Sequence, residues 1–516
     1  MKNFLRHKNI IFYIISISLL SIFSYRFYYI KWLGYERIPE TTIFDERDYP
    51  FVGYTFRKTG VPTGWSMMGV YKSLSDHKQH KDISFNGISI TAANQLPSIK
   101  NKNIFNYPIT YVTDVDIGKG KETITLVQPF FDHPIIGSYI FSLGIKSQVT
   151  TFDSIKPEEY RQVSLYLSLL TGILIFVFSY LLYKNYIVSA LSFIIYSTVP
   201  TYVLMSRFAL LENILIPLSL ISFSFVLLFL KNKTKKRSFI LLVLAGIFTG
   251  FGFLTKMSGA YIVLTILLFL YKNKIKLINY LYFILPFLII SGLFYVYMYY
   301  LAPDLFLKLL FDQASRGFFG PLSFLFSILG PNFKYFPKES YWLFGIISLI
   351  TICNKDLKKH SYLLISFLTY LFVFLFLGGS NYPWYSIPFL PFLVIASGYF
   401  LFDLIANANI INLVVFYVLP FCSSFYWGYF VHRPETNNYL IFRLSIIFFL
   451  VIYFINQSIN FKFKIYNKNF ILGKLIWTIA IILVFWQINK WNYQGFLYII
   501  SHWTRLPEIF TLSDKL

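Results

Sequence analysis

Residues 162–183 read QVSLYLSLLTGILIFVFSYLLY, a stretch of 22 positions without a charged side chain. A bilayer hydrocarbon core of about 30 Å takes about 20 apolar residues as α-helix, because no water inside it satisfies an open backbone. The stretch meets that length, lies between Arg161 and Lys184, and predicts a membrane-crossing helix. The same signal recurs near 10–32, 186–205, 209–230, 238–254, 258–271, 278–300, 341–353, 361–378, 386–405, 409–428, 439–457 and 470–489, making 13 spans with 162–183. The expected fold class is an all-α polytopic membrane protein, one membrane-embedded unit over 1–516. Its last part, 409–516, carries no motif with an assignable role.

Composition agrees. The chain has 516 residues, 56% hydrophobic, 21% aromatic and 13% charged, with a mean hydropathy of +0.58. Soluble domains carry about 25% charged residues, so a soluble enzyme, a disordered chain and a folded basic nucleic-acid binder are excluded. Two cysteines, Cys353 and Cys422, exclude a disulfide scaffold. The abundant Ile, Lys, Asn, Phe and Tyr partly reflect codon bias.

The net charge of +23 follows from where the cations sit. With the N-terminus in the cytoplasm, 18 of the 46 Lys and Arg fall in the inner segments: Lys2, Arg6, Lys8; Lys184; Lys231, Lys233, Lys235, Lys236, Arg237; Lys272, Lys274, Lys276; Lys355, Lys358, Lys359; Lys462, Lys464 and Lys468. The alternate loops 206–213, 254–257 and 379–385 are poor in them. This is the positive-inside pattern, with contact to anionic lipid heads as a secondary effect. Lys2, Arg6 and Lys8 before 10–32 look like a signal peptide. That span runs into Tyr25-Arg26-Phe27-Tyr28-Tyr29 with no small-residue cleavage site, so it is expected to stay as an anchor.

Residues 34–160 break the pattern. They form a long outer loop holding 14 of the 23 acids, far longer than a connection requires, and read as an extracytoplasmic catalytic platform. Within it, 47–59 suggests a short helix along the membrane surface. Residues 107–128 show β-like stretches, Ile109-Thr110-Tyr111-Val112 and Thr123-Ile124-Thr125-Leu126, and apolar 134–146 suits the interface. The loop is thus expected to be mixed α/β. Neither an internal repeat nor a low-complexity tract is visible, which weakens an inverted-repeat transporter.

Ionisable groups near a membrane need a reason, and the candidates all fall on the outer side. Asp45-Glu46-Arg47-Asp48-Tyr49-Pro50 sets adjacent carboxylates just beyond the anchor, followed by Gly53 and by Thr59-Gly60-Val61-Pro62-Thr63-Gly64-Trp65-Ser66. Such carboxylates supply a general base or merely form a solvated acidic turn. Phe131-Asp132-His133-Pro134 offers a fixed His for a phosphate, a hydrogen bond or a metal. Asp132 there also suits a helix N-cap with Pro at the first turn. Ser206-Arg207-Phe208-Ala209-Leu210-Leu211-Glu212-Asn213 places two lone charges between apolar runs, either functional or snorkelling. Leu254-Thr255-Lys256-Met257-Ser258-Gly259 puts a Lys in an outer loop against the charge bias, which an anionic ligand would justify. Tyr382-Pro383-Trp384-Tyr385-Ser386-Ile387-Pro388, leading to Pro391, is an aromatic interfacial loop opening a late span. Nucleotide-binding glycine loops, HExxH and paired CxxC are absent.

In order and sidedness these patches resemble the membrane-embedded GT-C glycosyltransferases. The likeness is to glycosyltransferase family 39, which includes the dolichyl-phosphate-mannose protein mannosyltransferases, and to the bacterial lipid A aminoarabinose transferase. It lies in Asp45-Glu46, Gly53, Gly60-Val61-Pro62, Asp132-His133-Pro134, Arg161, Ser206-Arg207 with Glu212-Asn213, Lys256-Met257-Ser258-Gly259, and Tyr385 with Pro388 and Pro391. It covers roughly residues 1–405. Thirteen spans with an outer C-terminus look like the aminoarabinose transferase plan. The outer segment 301–340 is too short for the β-trefoil inserted in eukaryotic mannosyltransferases.

The resemblance implies transfer of a sugar from a polyprenyl phosphate to an acceptor hydroxyl on the extracytoplasmic face, with inversion. It makes Asp45 the base, while Glu46 would orient the acceptor or a neighbouring cation. Arg207 and Lys256 would hold the donor phosphate with His133 as a hydrogen-bond donor. Asp132 and Glu212 would meet the sugar or acceptor, and Tyr382 and Tyr385 would line the cleft. The chemistry is independently coherent. The leaving phosphate needs cations, not a general acid, and the acceptor needs one positioned base. Partners are then the lipid-linked donor, an acceptor lipid, protein or glycan, and membrane lipids, without nucleic acid. A cofactor is not specified, and the acidic and His residues of the loop leave a divalent metal open. The plan suggests the inner membrane of a prokaryote. The competing readings are a transporter or flippase of lipid-linked sugars, a lipid-linked oligosaccharide ligase or polymerase, and a non-catalytic assembly subunit.

Overall fold

The computed structural model describes residues 44–66, 68–74, 108–116, 121–147, 149, 152–232, 238–314, 340–376 and 383–407, with scattered helical residues beyond 410. The expected anchor at 10–32 and Tyr382 lie outside the described residues, and the last three expected spans are described only in fragments.

The chain opens with α1 (Phe44–Thr59), followed by β1 (Gly64–Trp65), α2 (Gly69–Leu74), β2 (Ile109–Asp116), β3 (Lys121–Gln128) and α3 (Ile135–Ser142). The helical series then runs α4 (Pro157–Tyr183), α5 (Tyr186–Thr198), α6 (Pro200–Met205), α7 (Glu212–Lys231), α8 (Phe239–Thr255), α9 (Ala260–Lys272), α10 (Leu277–Leu301), α11 (Pro303–Ala314), α12 (Ser340–Lys355), α13 (Leu357–Phe376) and α14 (Leu390–Ala406). Short 3-10 turns lie at Phe152–Ser154, Met257–Gly259 and Pro383–Phe389. Among the described residues, Pro157–Tyr183, Glu212–Lys231, Leu277–Leu301, Leu357–Phe376 and Trp384–Ala406 are long and apolar enough to cross a bilayer. The protein is an integral, multi-pass, mainly α-helical membrane protein.

Burial shows which helices face lipid. α10 buries Phe283, Ser291, Phe294, Met298 and Leu301 along one stripe and exposes Leu285, Leu288, Ile289, Leu293 and Val296 on the other. Exposed apolar area of this kind is what a hydrocarbon solvent requires. α14 is buried from Leu390 to Leu404 on most positions and forms the bundle centre. Several hydroxyls inside the helices, among them Ser192 to Val188 and Thr249 to Ala245, bond back to the carbonyl four residues earlier and are satisfied within the bundle.

Two expectations change. The span 186–205 is interrupted: α5 ends at Thr198 with Val199 extended, and Pro200, which has no N–H to continue the ladder, starts α6. The expected N-cap at Asp132 does not form either, because Pro134 occupies the N-cap of α3 and makes no side-chain cap bond.

Segment 34–160 holds the sheet, in order β1-β3-β2, all antiparallel, with Tyr111 opposite Leu126 and Gly64 opposite Val127. The helix expected at 47–59 starts earlier, at Phe44. Gly60, at φ 76, ends it through its N–H on the Phe56 carbonyl at 2.8 Å and reverses the chain into β1. α3 buries Gly137, Ser138, Phe141 and Ser142. A Cβ on Gly53 would stand 2.0 Å from the Ser138 carbonyl oxygen, so only glycine lets α1 and α3 cross this closely.

Candidate active site

The site forms where α1 meets the start of α7, the end of α8 and the 3-10 turn before α14. α8 ends at Thr255. Lys256 then takes an extended backbone, its N–H on the Gly252 carbonyl at 3.2 Å, and turns its side chain back into the protein. Only 5% of Lys256 is exposed. Its ammonium forms an ion pair with Glu212 Oε1 at the first residue of α7 and lies 3.6 Å from the centroid of the Tyr385 ring. Burial opposes the charge, but Glu212, Tyr385 and Asp45 together carry the Lys256 amine above its ordinary range. Asp45 is therefore within electrostatic reach of Lys256, although the two lie on segments more than 200 positions apart.

Asp45 is partly exposed in the first turn of α1. One turn on, the Tyr49 hydroxyl donates to Asp45 Oδ2 at 3.4 Å. Burial, and then the charges of Asp45 and Glu212, push the Tyr49 phenol well above its ordinary range, so it stays a neutral donor. The Tyr49 ring meets His133 edge-on at 5.6 Å. From the far side, the Tyr370 hydroxyl of α13 donates to the Tyr385 carbonyl and stands in the field of Glu212. Asp45, His133, Glu212, Lys256 and Tyr385, expected from sequence to act together, are thus neighbours.

Glu46 points the other way. Both of its oxygens accept from Arg161, Oε1 from Nε at 2.8 Å and Oε2 from Nη2 at 2.6 Å, and Oε1 also takes the Ala209 N–H at 3.0 Å. Each side chain of the pair is 1% exposed. Of the two roles expected for Glu46, orienting the acceptor is corrected: its carboxylate is consumed inside the protein, and what it holds is a cation. Glu46 thereby fastens α1 to α4 and to the turn ahead of α7. In that turn Arg207 is 2% exposed, and Asn213 Nδ2 closes the loop on the Met205 and Phe208 carbonyls at 2.9 and 2.8 Å.

Behind Asp45 lies a second acidic layer. Asp48 Oδ1 accepts the Trp65 N–H at 2.7 Å. Burial outweighs that bond and, with the charges of Asp45 and Asp132, drives the Asp48 carboxyl well above the usual carboxylate range. Asp132 Oδ2 accepts from Ser66 Oγ at 2.6 Å. Among the described residues, no three His, Cys, Asp or Glu side chains form a set that could hold a metal ion. Sequence reading placed Asp48 and Tyr49 in the acidic patch without a role of their own and missed Tyr370. Starting α1 at Phe44 would have revealed Tyr49, which then falls one helical turn after Asp45; Tyr370 sits in an apolar span with no sequence signal.

Residues 121–307, the segment running from β3 to α11, match the family model described as dolichyl-phosphate-mannose-protein mannosyltransferase. The GT-C resemblance holds. The matched region contains His133, Arg161, Arg207, Glu212 and Lys256. Among solved structures, the chain is similar to ArnT from Cupriavidus metallidurans in the apo state, at 13% identity and TM-score 0.45 over 71% of this chain and 67% of that one. ArnT bound to undecaprenyl phosphate gives 12% and 0.45 over 72% and 69%. The Archaeoglobus fulgidus oligosaccharyltransferase in the apo form gives 13% and 0.37 over 56% and 44%. None of the curated proteins matches the chain.

Proposed function

We propose that the protein transfers a glycosyl group from a polyprenyl-phosphate-linked sugar to an acceptor hydroxyl on the extracytoplasmic face of a membrane. The observation that carries this reading is Asp45 within electrostatic reach of the buried ion pair Lys256–Glu212, whose ammonium lies against the Tyr385 ring at the end of the apolar helix α8.

The acceptor oxygen attacks the anomeric carbon from the face opposite the phosphate, and the configuration inverts. The C–O bond to phosphate breaks with its electron pair leaving on the phosphate oxygen, through an oxocarbenium-like state. Asp45 takes the acceptor proton as the new bond forms. The Tyr49 hydroxyl, donating to Asp45, fixes which oxygen faces the acceptor. Lys256 stabilises the departing phosphate where charge develops, with Arg207 as the second cation. His133, held against Tyr49, donates to the phosphate or to the acceptor. Among the described residues, the buried Glu212 Oε2 atom has no hydrogen-bond partner; a sugar hydroxyl satisfies it. Asp132 and Tyr385 line the same cleft. The energy is stored in the donor, so no nucleotide enters. Purified protein given donor and acceptor should release free polyprenyl phosphate, whereas a flippase would leave the donor intact.

A further inference from the structure

Lys256 faces a conflict that its surroundings resolve. It sits inside protein where water cannot stabilise its charge, and the groups turned toward it are Glu212 from α7, Tyr385 from the 3-10 turn and Asp45 from α1. Tyr49 of α1 and Tyr370 of α13 border the same carboxylate, and burial keeps the Tyr49 phenol neutral. The carboxylate in contact with the ammonium is that of Glu212. A buried cation stripped of such a partner loses its proton readily, and a neutral amine attracts a phosphate poorly.

We propose that Glu212 is the positioning residue for the donor-binding cation: its carboxylate keeps Lys256 protonated and seated on the Tyr385 face, so that a polyprenyl phosphate meets a charged and oriented ammonium at every physiological pH. The proposal rests on the phosphate role given to Lys256 above and adds the device that maintains it. Glu212 acts through Lys256 here, and its effect appears as a pH dependence of donor binding.

The test measures the affinity of the full-length protein in nanodiscs for undecaprenyl phosphate between pH 6.5 and 9.5, each variant being compared with wild type so that the titration of the phosphate itself cancels. Lys256→Met should lose binding at every pH; retained binding overturns the phosphate reading and this proposal with it. Relative to its own affinity at the acid end, Glu212→Gln should weaken progressively as pH rises, approaching about tenfold per pH unit once the amine titrates. Glu212→Asp should restore the flat profile, and Lys256→Arg in the Glu212→Gln background should do so too, because a guanidinium keeps its charge without help. Glu212→Ala carries the same prediction should the Gln protein fail to fold. If Lys256→Met loses binding while both uncharged Glu212 variants stay parallel to wild type across the range, the positioning role is overturned and the phosphate role survives.

Discussion

At the scale of single residues, two carboxylates in one sequence pair part ways: Asp45 is partly exposed and Glu46 is buried. Asp45→Asn should lower transfer by about 10²- to 10⁴-fold, the usual contribution of a general base, with unchanged expression and thermal unfolding. Glu46→Gln should act in the opposite way. It leaves Arg161 as a buried charge without its counter-ion, a loss of about 3–5 kcal/mol, and should appear as a fall in melting temperature in detergent before activity is considered. Asp48 gives a pH signature. Its folded carboxyl titrates well above the ordinary value of 3.8, so the protonated form is the one the fold favours. That contribution is complete below the ordinary value and declines as pH climbs through the raised one. Wild type should therefore lose melting temperature from pH 5 to pH 7.5 relative to Asp48→Asn, which keeps an oxygen for the Trp65 N–H. Parallel profiles would refute the assignment. The sequence displayed the charged residues of the site because a lone Lys256 or Glu212 in apolar surroundings is conspicuous. It hid their pairing, since Glu212 and Lys256 are brought together only by α7 and α8 packing side by side.

At the scale of elements, the site is precise because α1 is pinned on three sides. Glu46 ties it to α4, Gly53 lets α3 cross it, and the Tyr297 hydroxyl of α10 reaches the Gly60 carbonyl at 2.7 Å. Gly53→Ala would force a methyl against the Ser138 carbonyl oxygen. Overpacking of this kind costs about 1–3 kcal/mol and here also displaces the helix that carries Asp45. Melting temperature and transfer should both fall, more than for Gly69→Ala, where a Cβ meets nothing within 4 Å. Helix existence was readable from apolar length, as the agreement of 238–254 with Phe239–Thr255 and 278–300 with Leu277–Leu301 shows. The break at Val199-Pro200 was not, because hydropathy averages over the missing N–H that ends a ladder. The strands near 107–128 were visible through β-branched alternation, while the two-residue β1 is too short to register.

At the scale of the whole molecule, the charged ends of the helices and the acidic platform divide the protein into two faces. The candidate site lies with α1 and the end of α8. The opposite end gathers Lys184, His360, Lys355 and Asp403, where the His360 Nδ1 meets the Tyr183 hydroxyl at 3.0 Å and Lys355 pairs with Asp403 at 2.5 Å. With the basic end inward, a cysteine replacing exposed Leu143 should react with an impermeant maleimide from outside intact cells. One replacing exposed Lys274 should react only after the membrane is opened. The reverse pattern would place Asp45 and Lys256 on the cytoplasmic side. The most direct test of the central claim incubates membranes holding wild type or Asp45→Asn with a panel of radiolabelled polyprenyl-phosphate sugars. The account predicts that wild type moves one label onto an acceptor and liberates free polyprenyl phosphate, and that Asp45→Asn leaves the donor whole. Intact donor across the entire panel with wild type, or equal transfer by Asp45→Asn, would contradict it.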